Sequence, residues 1–196
     1  MKKGLLIAIG VLVILVGLIG WGMSAYNGMV TGEEQVDSQW ANVESQYQRR
    51  ADLIPNLVNT VKGYASHESS TLENVVAARA KATSTTIDIN NLDEASLKKY
   101  QAAQGELSQA LGRLLAITEN YPDLKANQNF LELQAQLEGT ENRITVARDR
   151  YNEAARQFNV TIRRFPAVII AGMGGFDKKP YFEAEAGASS APKVEF

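Results

Sequence analysis

A chain of 196 residues, 45% of them apolar and 21% charged, is too apolar to be disordered and long enough to bury a core of its own. It contains no cysteine, which excludes a disulfide framework, a thiolate nucleophile and a Cys-ligated metal. Its 20 basic residues meet 22 acidic ones. That balance leaves no basic footprint for nucleic acid, and the mild acidity beyond Lys2 and Lys3 speaks against a soluble face lying on anionic lipid.

Gly4 to Gly32 holds no Asp, Glu, Lys, Arg or His, and Leu5 to Trp21 places twelve Leu, Ile or Val residues in seventeen positions. At roughly −0.3 to −0.6 kcal/mol each, these favour membrane entry by about 4 to 7 kcal/mol. As a helix the stretch spans roughly 25 Å, and the weakly polar run to Val30 supplies the rest of a bilayer. It exceeds the apolar region of a signal peptide, and its best small-residue site has Met23 where a small residue is wanted, so the span is read as retained. Lys2 and Lys3 precede it, whereas Glu33, Glu34 and Asp37 follow before the next basic residues, Arg49 and Arg50. The positive-inside bias then predicts a single-pass inner-membrane protein with a cytoplasmic N-terminus and everything after residue 32 outside. Gly10, Gly17 and Ser24 recur one heptad apart, and Gly28 and Gly32 form a GxxxG at the exit. They read either as a close helix contact between copies, or as the ordinary glycine content of membrane helices.

Residues 33–166 carry helical periodicity. Val36, Trp40, Val43, Tyr47, Ala51 or Arg50, Ile54, Leu57, Val61 and Tyr64 fall on one face, and nothing between the anchor and this segment demands a break. Pro55 sits in its middle, where it removes the hydrogen bond to the Ala51 carbonyl at a cost of about 3 kcal/mol, implying a kink with compensating packing or an actual break. His67 to Ser70 interrupts the pattern, which resumes with Leu72, Val75, Val76, Arg79 and Ala80. Thr83 to Asn91 reads as a loop. Asp93 with Ser96 opens a helix through Leu97, Tyr100, Leu107, Leu111, Leu114 and Ile117, ended by Tyr121-Pro122. A last run from about Leu124 to Arg164 keeps Phe130, Leu133, Leu137, Ile144, Ala147, Tyr151, Phe158, Ile162 and Phe165 on one face, closed by Pro166. The expected fold is all-α: a transmembrane helix, then an elongated antiparallel four-helix bundle, then a mostly irregular tail. Residues 167–196 hold an apolar, glycine-rich segment, Ala167 to Phe176, that is too short to span a bilayer and reads as a bundle cap or a membrane-surface contact. Phe182, Val194 and Phe196 are apolar points of the tail suited to docking in a partner groove or on a sheet edge.

No catalytic cluster is visible. His67 is the only histidine, so no His-pair metal site or Ser-His dyad with a spare base can be built; beside Glu68 at a helix junction it reads as a surface cap. Gly174-Gly175 lacks the strand and basic residue of a phosphate loop. Glu138 and Glu141 lie near Arg143, Arg148 and Arg150, but a carboxylate-bridged metal pair in a bundle wants Glu-x-x-His motifs, which are absent. Salt bridging along and between helices is the expected role of these charges. No cofactor or metal is expected, nor an enzymatic activity.

The residues do match a family. The basic start and span, Trp40, Arg50-Ala51-Asp52-Leu53-Ile54-Pro55-Asn56-Leu57-Val58, Val61-Lys62-Gly63-Tyr64, His67-Glu68, Ala78-Arg79, Tyr121-Pro122-Asp123-Leu124-Lys125, Glu138-Gly139-Thr140-Glu141-Asn142-Arg143-Ile144, Arg148, Tyr151-Asn152, Asn159, Phe165-Pro166, Phe182-Glu183-Ala184 and Ala191-Pro192-Lys193-Val194 together make the chain resemble the LemA family of bacterial membrane proteins over nearly its full length. The resemblance implies a single-pass protein with a long antiparallel four-helix bundle and no defined catalytic residues. It also implies a candidate structural or interaction motif at Arg50, Asp52, Pro55, Asn56, His67, Glu68, Arg79, Glu138, Glu141, Arg148, Tyr151 and Asn152. The expected partners are the lipid bilayer, further copies of the chain and a membrane metalloprotease of the HtpX type. The expected function is a non-enzymatic envelope scaffold or adaptor, with direct membrane shaping as the runner-up.

Overall fold

No proline occurs before Pro55, and isolated glycines cost a helix only about 1 kcal/mol each. In the computed structural model, which describes residues 2–89 and 92–183, a single helix α1 accordingly runs over Lys2–Lys62. It is followed by α2 (Ser69–Ser84), α3 (Glu94–Thr118), the one-turn α4 (Pro122–Lys125), α5 (Gln128–Arg163) and α6 (Ala167–Gly174), with no strand among the described residues. Local chemistry sets the boundaries. The Asp93 carboxylate caps α3 by accepting from the Ser96 N–H at 2.7 Å; the Ser96 hydroxyl, and then this N–H, hold its carboxyl below the usual range. Pro122 occupies the first turn of α4, where its missing N–H costs nothing. Asn127 then caps α5 by accepting from the Phe130 N–H at 3.0 Å. The run expected from Leu124 is thus two helices, because Asn127 offers the backbone a cap in place of continuation. Gly175, at φ 73°, ends α6 in the left-handed conformation and lets the Phe176 N–H reach the Ala171 carbonyl at 3.1 Å.

The chain divides into two compact units, Met1–Gln39 with Glu153–Lys179, and Trp40–Asn152 with Pro180–Phe196. The second is a four-helix arrangement. Trp40 meets Tyr100 and Tyr151 at one end, and Tyr64 meets Asn127 while Glu68 meets Tyr121 at the other. Hence α1 and α3 run the same way and α5 runs against them; the Lys81–Glu106 and Arg79–Ala51 contacts turn α2 antiparallel to both. Ile54, Leu57, Val61, Leu72, Val75, Leu107, Leu111, Leu114, Leu124, Phe130 and Leu137 form its buried core. Each such side chain contributes about 1.5–3 kcal/mol on burial.

In the first unit Met29 and Val36 of α1 are buried, as are Phe158 and Ile162 of α5. Gly32 lies under the Phe158 ring, where an added Cβ would stand 3.3 Å from the ring edge. From Leu5 to Ile19 the large apolar side chains of α1 are instead 49% to 68% exposed. Phe165, expected on the core face of α5, points outward at 84% exposure, since the helix ends at Arg163 and the chain changes direction at Pro166.

Candidate functional site

Arg50 is the largest fully buried side chain, 1% exposed. A buried guanidinium is costly unless its donors are used, and here four bonds use them. Nη1 donates to Ser108 Oγ at 2.7 Å and to Glu141 Oε1 at 2.8 Å. Nη2 donates to the Gln104 carbonyl at 3.2 Å and to Gln104 Oε1 at 2.6 Å. The Tyr47 ring packs 5.0 Å from the guanidinium carbon, and Nε is left without a partner among the described residues. Gln104 passes the network on by donating to the Ala82 carbonyl of α2 at 3.4 Å. One arginine of α1 therefore ties α3 and α5 directly and α2 through Gln104, at a single layer. Next to it, burial pushes the Tyr100 phenol well above its ordinary range, with Tyr47 and Glu44 adding to the effect.

The Pro55 question has a specific answer. Pro55 lies on the exposed face of α1, inside an unbroken helix. The Ala51 carbonyl that it leaves without a helical donor accepts instead from Arg79 Nε of α2, at 2.7 Å. Two motif residues separated by 24 positions are thus one device, in which a guanidinium N–H stands where the proline N–H is missing. The packing compensates and the helix does not break.

The third assembly is made by the C-terminal segment. In the second unit Phe182 stacks on Trp40 with ring centroids 5.8 Å apart, meets Tyr151 edge-on at 5.4 Å and lies under the Arg148 guanidinium at 5.1 Å. Asn152 grips its backbone twice, donating to the Phe182 carbonyl at 3.0 Å and accepting from the Phe182 N–H at 2.8 Å. Gln101 donates to the Glu183 carbonyl at 2.7 Å and accepts from its N–H, Arg148 donates to the same carbonyl at 2.8 Å, and Tyr151 donates to the Pro180 carbonyl at 3.1 Å. In the first unit Asn159 repeats the double grip on Lys179, donating and accepting at 2.8 Å. Lys179 Nζ also bonds Glu33 at 2.6 Å beside Asp37. One Asp37 oxygen has no partner among the described residues, and burial raises its carboxyl above the usual range, with Lys179 opposing and Glu33 and Glu34 adding.

The expected motif is therefore drawn together only in part. Arg50 joins Glu141, Pro55 joins Arg79, and Arg148, Tyr151 and Asn152 converge on Phe182. Of the charges expected to salt-bridge along and between helices, Glu141 pairs with Arg50 of α1, and Glu138 accepts from Gln134 at 3.0 Å. Asp52 accepts from Gln48 at 2.7 Å, the Asn56 carbonyl accepts from Thr60, and Glu68 accepts from the Tyr121 hydroxyl; His67 is exposed at the turn. Phe182 docks on the chain's own helices, a groove that periodicity alone did not reveal. Val194 and Phe196 lie outside the described residues. Gly10, Gly17 and Gly28 have open space at their Cβ positions, whereas Gly32 serves the contact with Phe158. Gln101, Gln104 and Ser108 were not anticipated as site residues. The apolar Phe182 in a polar tail was one signal for the grip on it, and the seven-residue spacing of Asn152 and Asn159 was another.

Comparisons with known proteins agree with one another. Magnetosome protein MamQ of Magnetospirillum gryphiswaldense is 32% identical over 195 residues, covering 91% of this chain and 71% of that protein. Magnetosome protein MamQ 2 of Paramagnetospirillum magneticum is 30% identical over 186 residues, covering 86% and 68%. Protein LemA of Metamycoplasma hominis is 24% identical over 139 residues, covering 71% and 60%. The family model described as LemA family matches residues 39–196, and the chain belongs to the LemA family.

Proposed function

We propose that this protein is a non-enzymatic scaffold anchored in the bacterial cytoplasmic membrane through the first half of α1. It associates with further copies of itself and presents its helices to envelope partners, a membrane metalloprotease of the HtpX type being the partner class the family suggests. The observation that carries this reading is α1 itself. One unbroken helix holds an apolar stretch that the described chain leaves uncovered and, further on, the core residues Trp40, Ile54 and Leu57. Relatives named as magnetosome proteins lend the membrane setting support. The N-terminus is assigned to the cytoplasm by Lys2 and Lys3.

The cysteine-free sequence makes the test direct. A cysteine at Gln157 should react with an impermeant maleimide in spheroplasts, and one at Gly17 should give disulfide-linked dimers in native membranes. A scaffold should also emerge from detergent as an oligomer or with a crosslinked partner. Only monomers, with neither dimers nor partners captured, would reject the reading. Deformation of vesicles by the reconstituted protein alone would favour the membrane-shaping alternative.

A further inference from the structure

We propose that α6 is a second membrane contact, a short interfacial foot seated at the bilayer surface beside the exit of α1. The inference rests on reading α1 as a membrane span and adds a lipid-binding surface to it. Three observations within the first unit meet. The first is position. Ile170 Cδ1 comes to 3.6 Å from where a Cβ of Gly22 would be, and the Phe176 ring meets Tyr26 at 5.4 Å. Residues 22 to 26 of α1 therefore set the level of α6. Gly22 lies 17 residues beyond Leu5, the start of the apolar run, about 25 Å of helix against the roughly 30 Å of a hydrocarbon core. The second observation is independent of the count. Trp21 and Tyr26, 41% and 44% exposed, stand at that same level, and such aromatics gather where acyl chains meet headgroups.

The third observation is the outward side of α6. Ala171 is buried, but Val168, Ile169 and Met173 are 43%, 55% and 83% exposed, and Phe165, just ahead of the helix, is 84% exposed. The exposed Arg163 and Arg164 stand immediately before them at the end of α5. α6 carries no polar side of its own; what fits it to the interface is an exposed apolar surface held at the level of an aromatic girdle, with Arg163 and Arg164 just ahead of it. At eight residues α6 extends about 12 Å and cannot itself enter as a span. Overall acidity argued against a lipid-facing surface; α6 escapes that argument because its contact is apolar, with Arg163 and Arg164 before it and Asp177, Lys178 and Lys179 after it. Two attachments side by side would stop the unit from pivoting on a single helix.

Depth-dependent quenching of the full-length protein tests this. Single cysteines at Ile14, Gln157 and Ile169 are labelled with an environment-sensitive fluorophore, and the chain is reconstituted into phosphatidylcholine–phosphatidylglycerol vesicles. Some vesicles carry nitroxide near the headgroup and others near the chain end. Insertion by about 5–10 Å predicts at least about twofold quenching at Ile169 by the shallow nitroxide, with Gln157 unaffected and Ile14 quenched by the deep one. If Ile14 is quenched while the Ile169 label stays open to aqueous iodide, the foot is wrong and the anchor stands. An Ile169 label shielded from both quenchers is covered by protein, such as a second copy, and also overturns the proposal. An unquenched Ile14 removes the anchor and the foot together.

Discussion

At the scale of single residues, Pro55 deprives the Ala51 carbonyl of its helical donor and Arg79 replaces it. Arg79→Ala is expected to cost about 1–3 kcal/mol, the range for leaving such an acceptor unsatisfied. In a Pro55→Ala background the same substitution should cost about 1 kcal/mol less, since the backbone N–H returns. Additive effects in urea denaturation of the four proteins would break the link between the two residues. Around Arg50, Arg50→Met should cost about 1–3 kcal/mol because the buried Gln104 acceptors lose their donor. Glu141→Gln should cost no more than about 1 kcal/mol, its side chain being 42% exposed. A reversed order would show that the ion pair, rather than the bonds to Gln104, stabilises the layer. Asp37 introduces a pH dependence. Its folded carboxyl titrates above the unfolded one, so its contribution is present below the ordinary aspartate range and lost as pH rises through the folded value. Asp37→Asn should therefore raise the Tm at neutral pH and change it little in acid; a Tm at neutral pH that is unchanged or lower would mean that Lys179 offsets or outweighs burial. Glu153 has the opposite sign. Arg156 and Gln157 hold it at about 2, so its contribution is present above the ordinary glutamate range and fades as pH falls toward that value.

At the scale of elements, α5 does two jobs. One side supplies core residues such as Phe130 and Leu137, and further along Asn152 and Asn159 hold extended chain by its main-chain groups. Asn152→Ala removes a donor and an acceptor from Phe182, and amide exchange at Phe182 and Glu183 should accelerate by tenfold or more, about 1.4 kcal/mol of opening free energy. Asn152→Asp keeps the acceptor for the Phe182 N–H but loses the donor, and should fall between. Unchanged exchange in both variants would assign retention of the tail to the Trp40–Phe182 stack alone. The helices themselves were legible from the sequence, because periodicity reports which side chains avoid water; Val36, Trp40, Val43, Ile54, Leu57 and Val61 are all buried on one face of α1. The split at Asn127 was not, since a local cap competes with helix continuation inside a pattern that looks continuous.

At the scale of the whole molecule, the apolar run of α1 from Leu5 to Ile19, its large side chains 49% to 68% exposed, is expected to keep the chain in the membrane fraction through alkaline carbonate. Release by carbonate without detergent would contradict the anchor. What the sequence could not disclose is pairing over distance. Arg50 and Glu141 were visible as charges, and Pro55 and Arg79 as marked residues, but which groups meet depends on how helices are brought together. Gln104 and Ser108 carried no sequence signal, since a polar residue on a core face resembles one on a solvated face until its partner is known. Phe182 was recognised as out of place in a linker, yet its receptor is assembled from Trp40, Arg148 and Tyr151 on two helices. The side-chain amides that hold this tail also set what may be changed along it. They read the N–H and C=O groups of Lys179, Phe182 and Glu183 rather than their side chains. Proline at any of those three would delete a donor that an amide oxygen is waiting for. The native proline stands at 180, where only the carbonyl is engaged, so the segment can drift in composition while its pattern of available main-chain donors stays fixed.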